Sequence, residues 1–69
     1  MIVIKDIHEF FSNEENIGCD ILAKVGRRTV SGRFEGLIGN DAVAIVVEHG
    51  SGIKMPVAIW GVDWLSAVL

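Results

Sequence analysis

Apolar and polar positions follow two different periods along this chain. From Ile2 to Ser12, Val3, Ile7, Phe10 and Phe11 recur at spacings of three and four, the repeat of one helical face. Asp6 and Glu9 stand three residues apart as a capping pair. Asn13 to Gly18 reads as a polar turn ending in a glycine stop. The spacing therefore predicts a short amphipathic helix within residues 2–12, its start left open because the apolar pattern begins before Asp6, and it must rest on something else.

From Cys19 the period becomes two. Ile21, Ala23 and Val25 alternate with Leu22 and Lys24. After a turn at Gly26-Arg27-Arg28, Val30 and Phe34 alternate with Thr29, Ser31, Arg33 and Glu35. Gly39-Asn40-Asp41 forms a second turn. Ala42 to Val47 is continuously apolar, the pattern of a strand buried on both faces. His49-Gly50-Ser51-Gly52 is a third turn. Ile53, Met55, Val57 and Ile59 alternate with Lys54, Pro56, Ala58 and Trp60. Pro56 has no N–H for a ladder, which places this strand at an edge or turns that nitrogen away from a neighbour. Gly61 breaks the run, and Val62–Leu69 fits either a fifth short strand or a terminal helical turn.

One helix and about five strands in 69 residues leave no material for a sandwich of two sheets. A single sheet that curls on itself makes a core from the same strands. Gly32 lies on the same face as Val30 and Phe34, and Gly36 continues the series. A sharply bent strand needs missing Cβ atoms on its crowded inner side, so these two glycines mark the expected bend. The expected architecture is mainly β: a single domain over residues 1–69, with helix and turn at 1–18 and a small, strongly bent, five-stranded barrel at 19–69.

Composition bears on how so small a core is completed. Apolar residues make up 51% of the chain, and its mean hydropathy is +0.48. A lone small domain buries only about 60% of its unfolded surface, and disulfides, metals or partner subunits commonly make up the difference. Cys19 is the single cysteine, so no internal disulfide forms, and Cys19, His8 and His49 match no metal-ligand spacing. Self-association is the remaining device. No apolar run approaches the ~18 residues of a membrane span, and MIVIKDIHEF does not read as a signal peptide. A soluble, cytoplasmic homo-oligomer is expected.

The net charge of −3 argues against indiscriminate nucleic-acid binding. It is unevenly placed, however. Residues 1–20 hold one cation against five acids, whereas residues 21–69 hold five cations against four acids. Lys24, Arg27, Arg28 and Arg33 fall in an acid-free stretch that makes either a local basic patch or an ordinary solvated hairpin.

The run Val25-Gly26-Arg27-Arg28-Thr29-Val30-Ser31-Gly32-Arg33-Phe34-Glu35-Gly36-Leu37 resembles the first motif of the Sm-like superfamily (Sm, Lsm and Hfq proteins). Ile59-Trp60-Gly61-Val62 is similar to its second motif, with Trp60 at the position of the family's arginine. Ile38 stands where the family usually has an aspartate, and Glu14 and Glu15 stand where Hfq carries its basic rim. The resemblance implies an SH3-like, Sm-like barrel and a ring of six or seven copies, closed by pairing the fourth strand of one with the fifth of the next. It also implies that the loops after strands two and four face the pore and hold single-stranded RNA by stacking, a guanidinium and amide hydrogen bonds.

On that basis Asn40, Asp41, Trp60 and Gly61 are the candidate RNA-binding residues. Arg27, Arg28 and Arg33, multiplied around a ring, would add a basic circle. Read without the family, Asn40-Asp41 is a polar turn, Trp60 packs against a neighbour, and the arginines are solvated. Trp64 reads as a core or interface anchor, Cys19 as a small buried residue, and His8 and His49 as surface residues. No nucleophile–base pair, phosphate loop or metal cluster is legible, so neither catalysis nor a cofactor is expected. Non-catalytic binding of single-stranded RNA is the leading function. A homo-oligomeric protein–protein assembly module without nucleic acid is the alternative, and a small-ligand module with a subunit cleft is a third, weaker one.

Overall fold

The computed structural model describes all of Met1–Leu69. Its elements are β1 (Ile2–Val3), α1 (Ile7–Ser12), a 3₁₀ turn (Glu14–Asn16), β2 (Asp20–Val25), β3 (Arg28–Ile38), β4 (Val43–Glu48), β5 (Lys54–Ala58), a second 3₁₀ turn (Ile59–Gly61) and β6 (Val62–Ala67). The protein is mainly β: one antiparallel sheet of six strands, ordered β1-β6-β2-β3-β4-β5, with a short helix. The sheet is open, because β1 and β5 lie at its two ends and do not pair. No helix is long and apolar enough to cross a membrane.

The strand count is six rather than five, and the difference arises at the N-terminus. Helical spacing extends back to Val3, but the helix starts only after Asp6. The Asp6 backbone is extended (φ −101°), and its Oδ1 accepts the Glu9 N–H at 3.0 Å. Ahead of this cap the β-branched run Ile2-Val3-Ile4 pairs with the other end of the chain. Ile2 lies opposite Ala67, Val3 opposite Ser66, and the Ile4 N–H donates to the Leu65 carbonyl at 2.9 Å. Val3 is therefore exposed on a strand, and the helical face reduces to Ile7, Phe10 and Phe11. Residues 62–67 form a strand, which settles the alternative left open for that segment.

The core lies inside the curl of the sheet. Its largest members are Phe11, Phe34, Ile21, Leu65 and Val46, all fully buried. Phe10, Phe11 and Phe34 join the helix to the sheet edge-to-face, with ring centroids 5.5 Å apart for Phe10–Phe11 and 5.1 Å for Phe11–Phe34. The period-two pattern survives in burial: Ile21 and Ala23; Val30, Gly32 and Phe34; Ala44 and Val46; and Val57 all face inward. The expectation that Ala42–Val47 is buried on both faces is corrected. Only Ala44 and Val46 are buried, while Val43, Ile45 and Val47 are half-covered, because no second layer lies over the outer side. Cys19 is likewise half-buried rather than buried, and Arg28 opens a strand rather than belonging to the turn before it.

Gly32 and Gly36 bend β3 for different reasons. A Cβ on Gly32 would collide with the Val47 carbonyl oxygen and lie 2.7 Å from Val46 Cγ1, so only glycine lets β3 fold this closely over β4. At Gly36 a Cβ would meet only Ile17 Cδ1, at 3.8 Å. Here the demand is conformational: φ is +137°, and the β3–β4 register shifts between Phe34 and Gly36, the mark of a bulge. The bend brings Met55–Ala58 of β5 to face Val25, Arg28 and Val30 across a small cavity of ≈ 80 Å³.

Pro56 guards the open end of the sheet. The Glu48 N–H donates to the Ile53 carbonyl and the Ile59 N–H to the Ala42 carbonyl, so bonded pairs alternate from those two. The pair Ile45–Pro56 falls between them. The proline nitrogen thus points away from β4, onto the free edge, where it removes the central outward donor.

Two outcomes follow from these positions. Gly32→Ala is expected to destabilise the fold by at least about 1–3 kcal/mol through overpacking, whereas Gly61→Ala, whose Cβ would come no closer than 3.9 Å to Val25 Cγ1, stays within about 0.5 kcal/mol. Urea unfolding midpoints of the two variants test this, and equal midpoints would remove the close-approach account. Pro56→Ala restores an outward N–H at the centre of the edge while leaving the β4 ladder intact. Light scattering should show increased self-association or aggregation, with stability lowered by no more than about 1 kcal/mol.

Candidate nucleic-acid interface

Apart from Arg33, the residues expected to touch RNA lie on or at the margins of three connections between strands, and the sheet decides which of them meet. The β3–β4 turn contains three successive left-handed residues, Gly39 (φ 62°), Asn40 (φ 57°) and Asp41 (φ 63°). Asparagine and aspartate tolerate this region better than other side chains, which explains the Gly-Asn-Asp composition of the turn. The Asn40 amide and Asp41 carboxylate make no hydrogen bond or ion pair within the chain.

The 3₁₀ turn Ile59–Gly61 packs beside that turn. Val43 is registered opposite Ala58, and the Ile59 N–H donates to the Ala42 carbonyl at 3.0 Å. Asn40-Asp41 and Trp60-Gly61 therefore belong to neighbouring loops. Ile59 is 3% exposed and anchors the turn in the core, and the tight 3₁₀ geometry then throws the next side chain outward. Trp60 is 79% exposed, the most exposed large apolar residue in the chain.

The indole is not unsupported. The His8 ring, on the first turn of α1, lies 4.9 Å from it between centroids, at an interplanar angle of 32°. Sequence patterns gave His8 only a surface position. Its partnership with Trp60 depends on where the β5–β6 connection passes over the helix, and no local signal carries that information.

On its other side the 3₁₀ turn leads into β6, where Val62 pairs with Val25 at the end of β2. The β2–β3 connection follows at once, with Gly26 at φ 62° and Arg27 and Arg28 exposed and free of ion pairs. The turn bearing Trp60 thus borders both the Asn40-Asp41 loop and the base of the arginine hairpin. Arg33 stands apart. It sits mid-strand, opposite Asp20 and Val47, and pairs with Glu35 on the same outer face at 3.2 Å. This is an exposed ion pair of the kind that contributes little.

Two further polar contacts serve the fold. His49 Nε2 lies 3.3 Å from Asp20 Oδ1 and its backbone N–H donates to the Ser31 carbonyl, which fastens the β4–β5 turn to the β2–β3 pair. Ser51 Oγ donates to Glu48 across that turn at 2.6 Å. Trp64 is 40% exposed on β6, opposite Lys24, so in the single chain it is not a core anchor. No group of three or more His, Cys, Asp or Glu side chains comes together. Compared with protein-family models, with curated proteins and with solved structures, the chain matches none.

Proposed function

We propose that this chain is an Sm-like module that binds single-stranded RNA in the cytoplasm without catalysing a reaction. The observation that carries the proposal is the outward, His8-braced indole of Trp60 between a free asparagine amide and an unpaired arginine pair. A braced aromatic ring offers any base a π-face at little cost in side-chain entropy, and stacking of this kind tolerates sequence. Asn40 supplies an amide for a base edge, Arg27 and Arg28 supply charge for the phosphates, and Gly61 lets the strand approach the backbone closely. The curled sheet is read as an incomplete Sm-like barrel. Arg33, held by Glu35, has no part in the site.

A single copy of this site is weak, since the chain is net acidic and Asp41 stands beside Asn40. Self-association multiplies the site, and it is favoured by a separate observation. Apolar residues crowd the ends of the sheet: Met1, Ile2, Val3, Val68 and Leu69 at one, and Ile53 at the other, are each half exposed or more. We therefore read the working form as a homo-oligomer; a ring of six or seven copies is the arrangement the resemblance implies, closed here through side chains, since β1 covers the outer edge of β6 and Pro56 interrupts that of β5. An assembly module without RNA is the second reading, supported by those same residues.

Fluorescence anisotropy with labelled oligo-U and oligo-A, titrated at low and moderate salt, tests the RNA proposal. Trp60→Ala is expected to weaken binding by about 1–3 kcal/mol, roughly one to two orders of magnitude in Kd, with an unchanged melting temperature. Neutralising Arg27 and Arg28 should flatten the dependence of log Kd on log salt by about 0.7 per arginine. Absence of binding at low salt leaves only the assembly reading.

A further inference from the structure

Between α1 and the far end of β3 runs a groove of ≈ 340 Å³. Phe11, Phe34 and Leu37 form its floor, Ile17 one wall, and Glu14 and Asp41 its rim. Gly36 also borders the groove, and a Cβ there would meet only Ile17 Cδ1, at 3.8 Å. No cation lines it, and neither rim carboxylate has an ion-pair partner. An apolar floor under two free carboxylates suits a long side chain with an aliphatic stem and a cationic head.

The chain carries that complement elsewhere. Arg27 and Arg28 on the β2–β3 hairpin are exposed and unpaired, with Lys24 beside them on β2. None of the three lines the groove of its own chain or pairs with its carboxylates. Arg28 opens β3 and Gly36 lies near its other end, about 26 Å along the strand path at ~3.3 Å per residue.

We propose that the groove receives the Arg27-Arg28 hairpin of a second copy. One guanidinium engages Glu14 and Asp41, and its methylene stem lies on Ile17 and Leu37. The contact joins two different surfaces, so it repeats head to tail and either closes a ring or continues as a chain. It rests on the self-association proposed above and gives it a charged contact apart from the apolar ends of the sheet. RNA phosphates would compete for the same arginines.

Sedimentation velocity separates the possibilities. The wild type is expected to associate at about 0.05 M salt and to dissociate at about 0.5 M, where screening is strong. Glu14→Lys alone and Arg28→Glu alone should each weaken association about tenfold or more. Each reversal makes the groove and hairpin of that variant repel. An equimolar mixture of the two variants should recover association, because every contact between unlike copies again joins opposite charges. Circular dichroism melts of both exposed variants should match the wild type. A wild type that is monomeric at both salt concentrations overturns self-association and this contact together. A wild type that associates while both variants remain unaffected, or a mixture that stays dissociated, overturns this contact and leaves self-association standing.

Discussion

The close approach of β3 to β4 at Gly32 is the constraint on which the rest of the structure depends. A sheet of short strands has one apolar face and nothing else of comparable size to set against it. Bending β3 until Gly32 lies against the Val47 carbonyl and the Val46 side chain turns that face onto itself. Phe34, two residues on, is then fully buried against Phe11 of the helix, while Val30 and Val46 fill the space between. A methyl group at residue 32 would hold the strands apart and open the core along its length. The bulge at Gly36 continues the turn by a different means, relieving the ladder where the strand must twist rather than where it is crowded.

This geometry explains which parts of the fold were legible in the sequence. Wherever one face of a strand is buried the period of two is imposed by the pleat, and Ile21/Ala23 and Val30/Gly32/Phe34 were readable for that reason, whereas Ile59, expected to continue the strand of Val57, opens a 3₁₀ turn. The N-terminus was not, because Ile2-Val3-Ile4 satisfies a helical spacing and a strand composition equally. The deciding partners, Leu65–Ala67, lie at the opposite end of the chain. The apolar run at Ala42–Val47 was read as doubly buried because composition reports apolarity but not the number of layers available to cover it. At the candidate site the neighbouring positions of Asn40-Asp41 and Trp60-Gly61 were expected from family resemblance. The hydrogen bond from Ile59 to Ala42 supplies the physical link. The exclusion of Arg33 and the bracing by His8 depend on cross-strand and helix–loop packing that no local pattern encodes.

The two ends of the sheet are managed differently, and this bears on how copies meet. The outer edge of β6 is largely occupied by the chain's own N-terminal strand, so a neighbour cannot pair with Leu65–Ala67 without displacing Ile2–Ile4. The edge of β5 is free but interrupted by Pro56, which leaves outward N–H groups only at Lys54 and Ala58. Continuous backbone pairing between copies is therefore hindered at both ends. Side-chain contacts, apolar or charged, are the less obstructed route to association. An edge blunted in this way is the usual protection of a small β-protein against indiscriminate strand addition.

The distribution of charge strengthens that distinction. Of the six lysines and arginines, only Arg33 has a carboxylate partner. Lys24, Arg27 and Arg28 gather on one hairpin, while Glu9, Glu14, Glu15 and Asp41 lie unpaired on the helix and on the turns near it. Exposed pairs within a chain contribute little to stability, so a fold gains almost nothing by matching these groups internally. Segregated on a body only 27 × 25 × 24 Å across, they instead create opposed fields at a separation comparable to a few Debye lengths. Such fields act chiefly on orientation and on the rate of encounter. The curl that buries the core leaves the hairpin and turns projecting at its margins, and those margins carry the exposed indole, the free arginines and the free carboxylates. Stability is thus concentrated inside the bend, and the side chains left for the proposed recognition, of a nucleotide strand or of a second copy, are ones the core does not need.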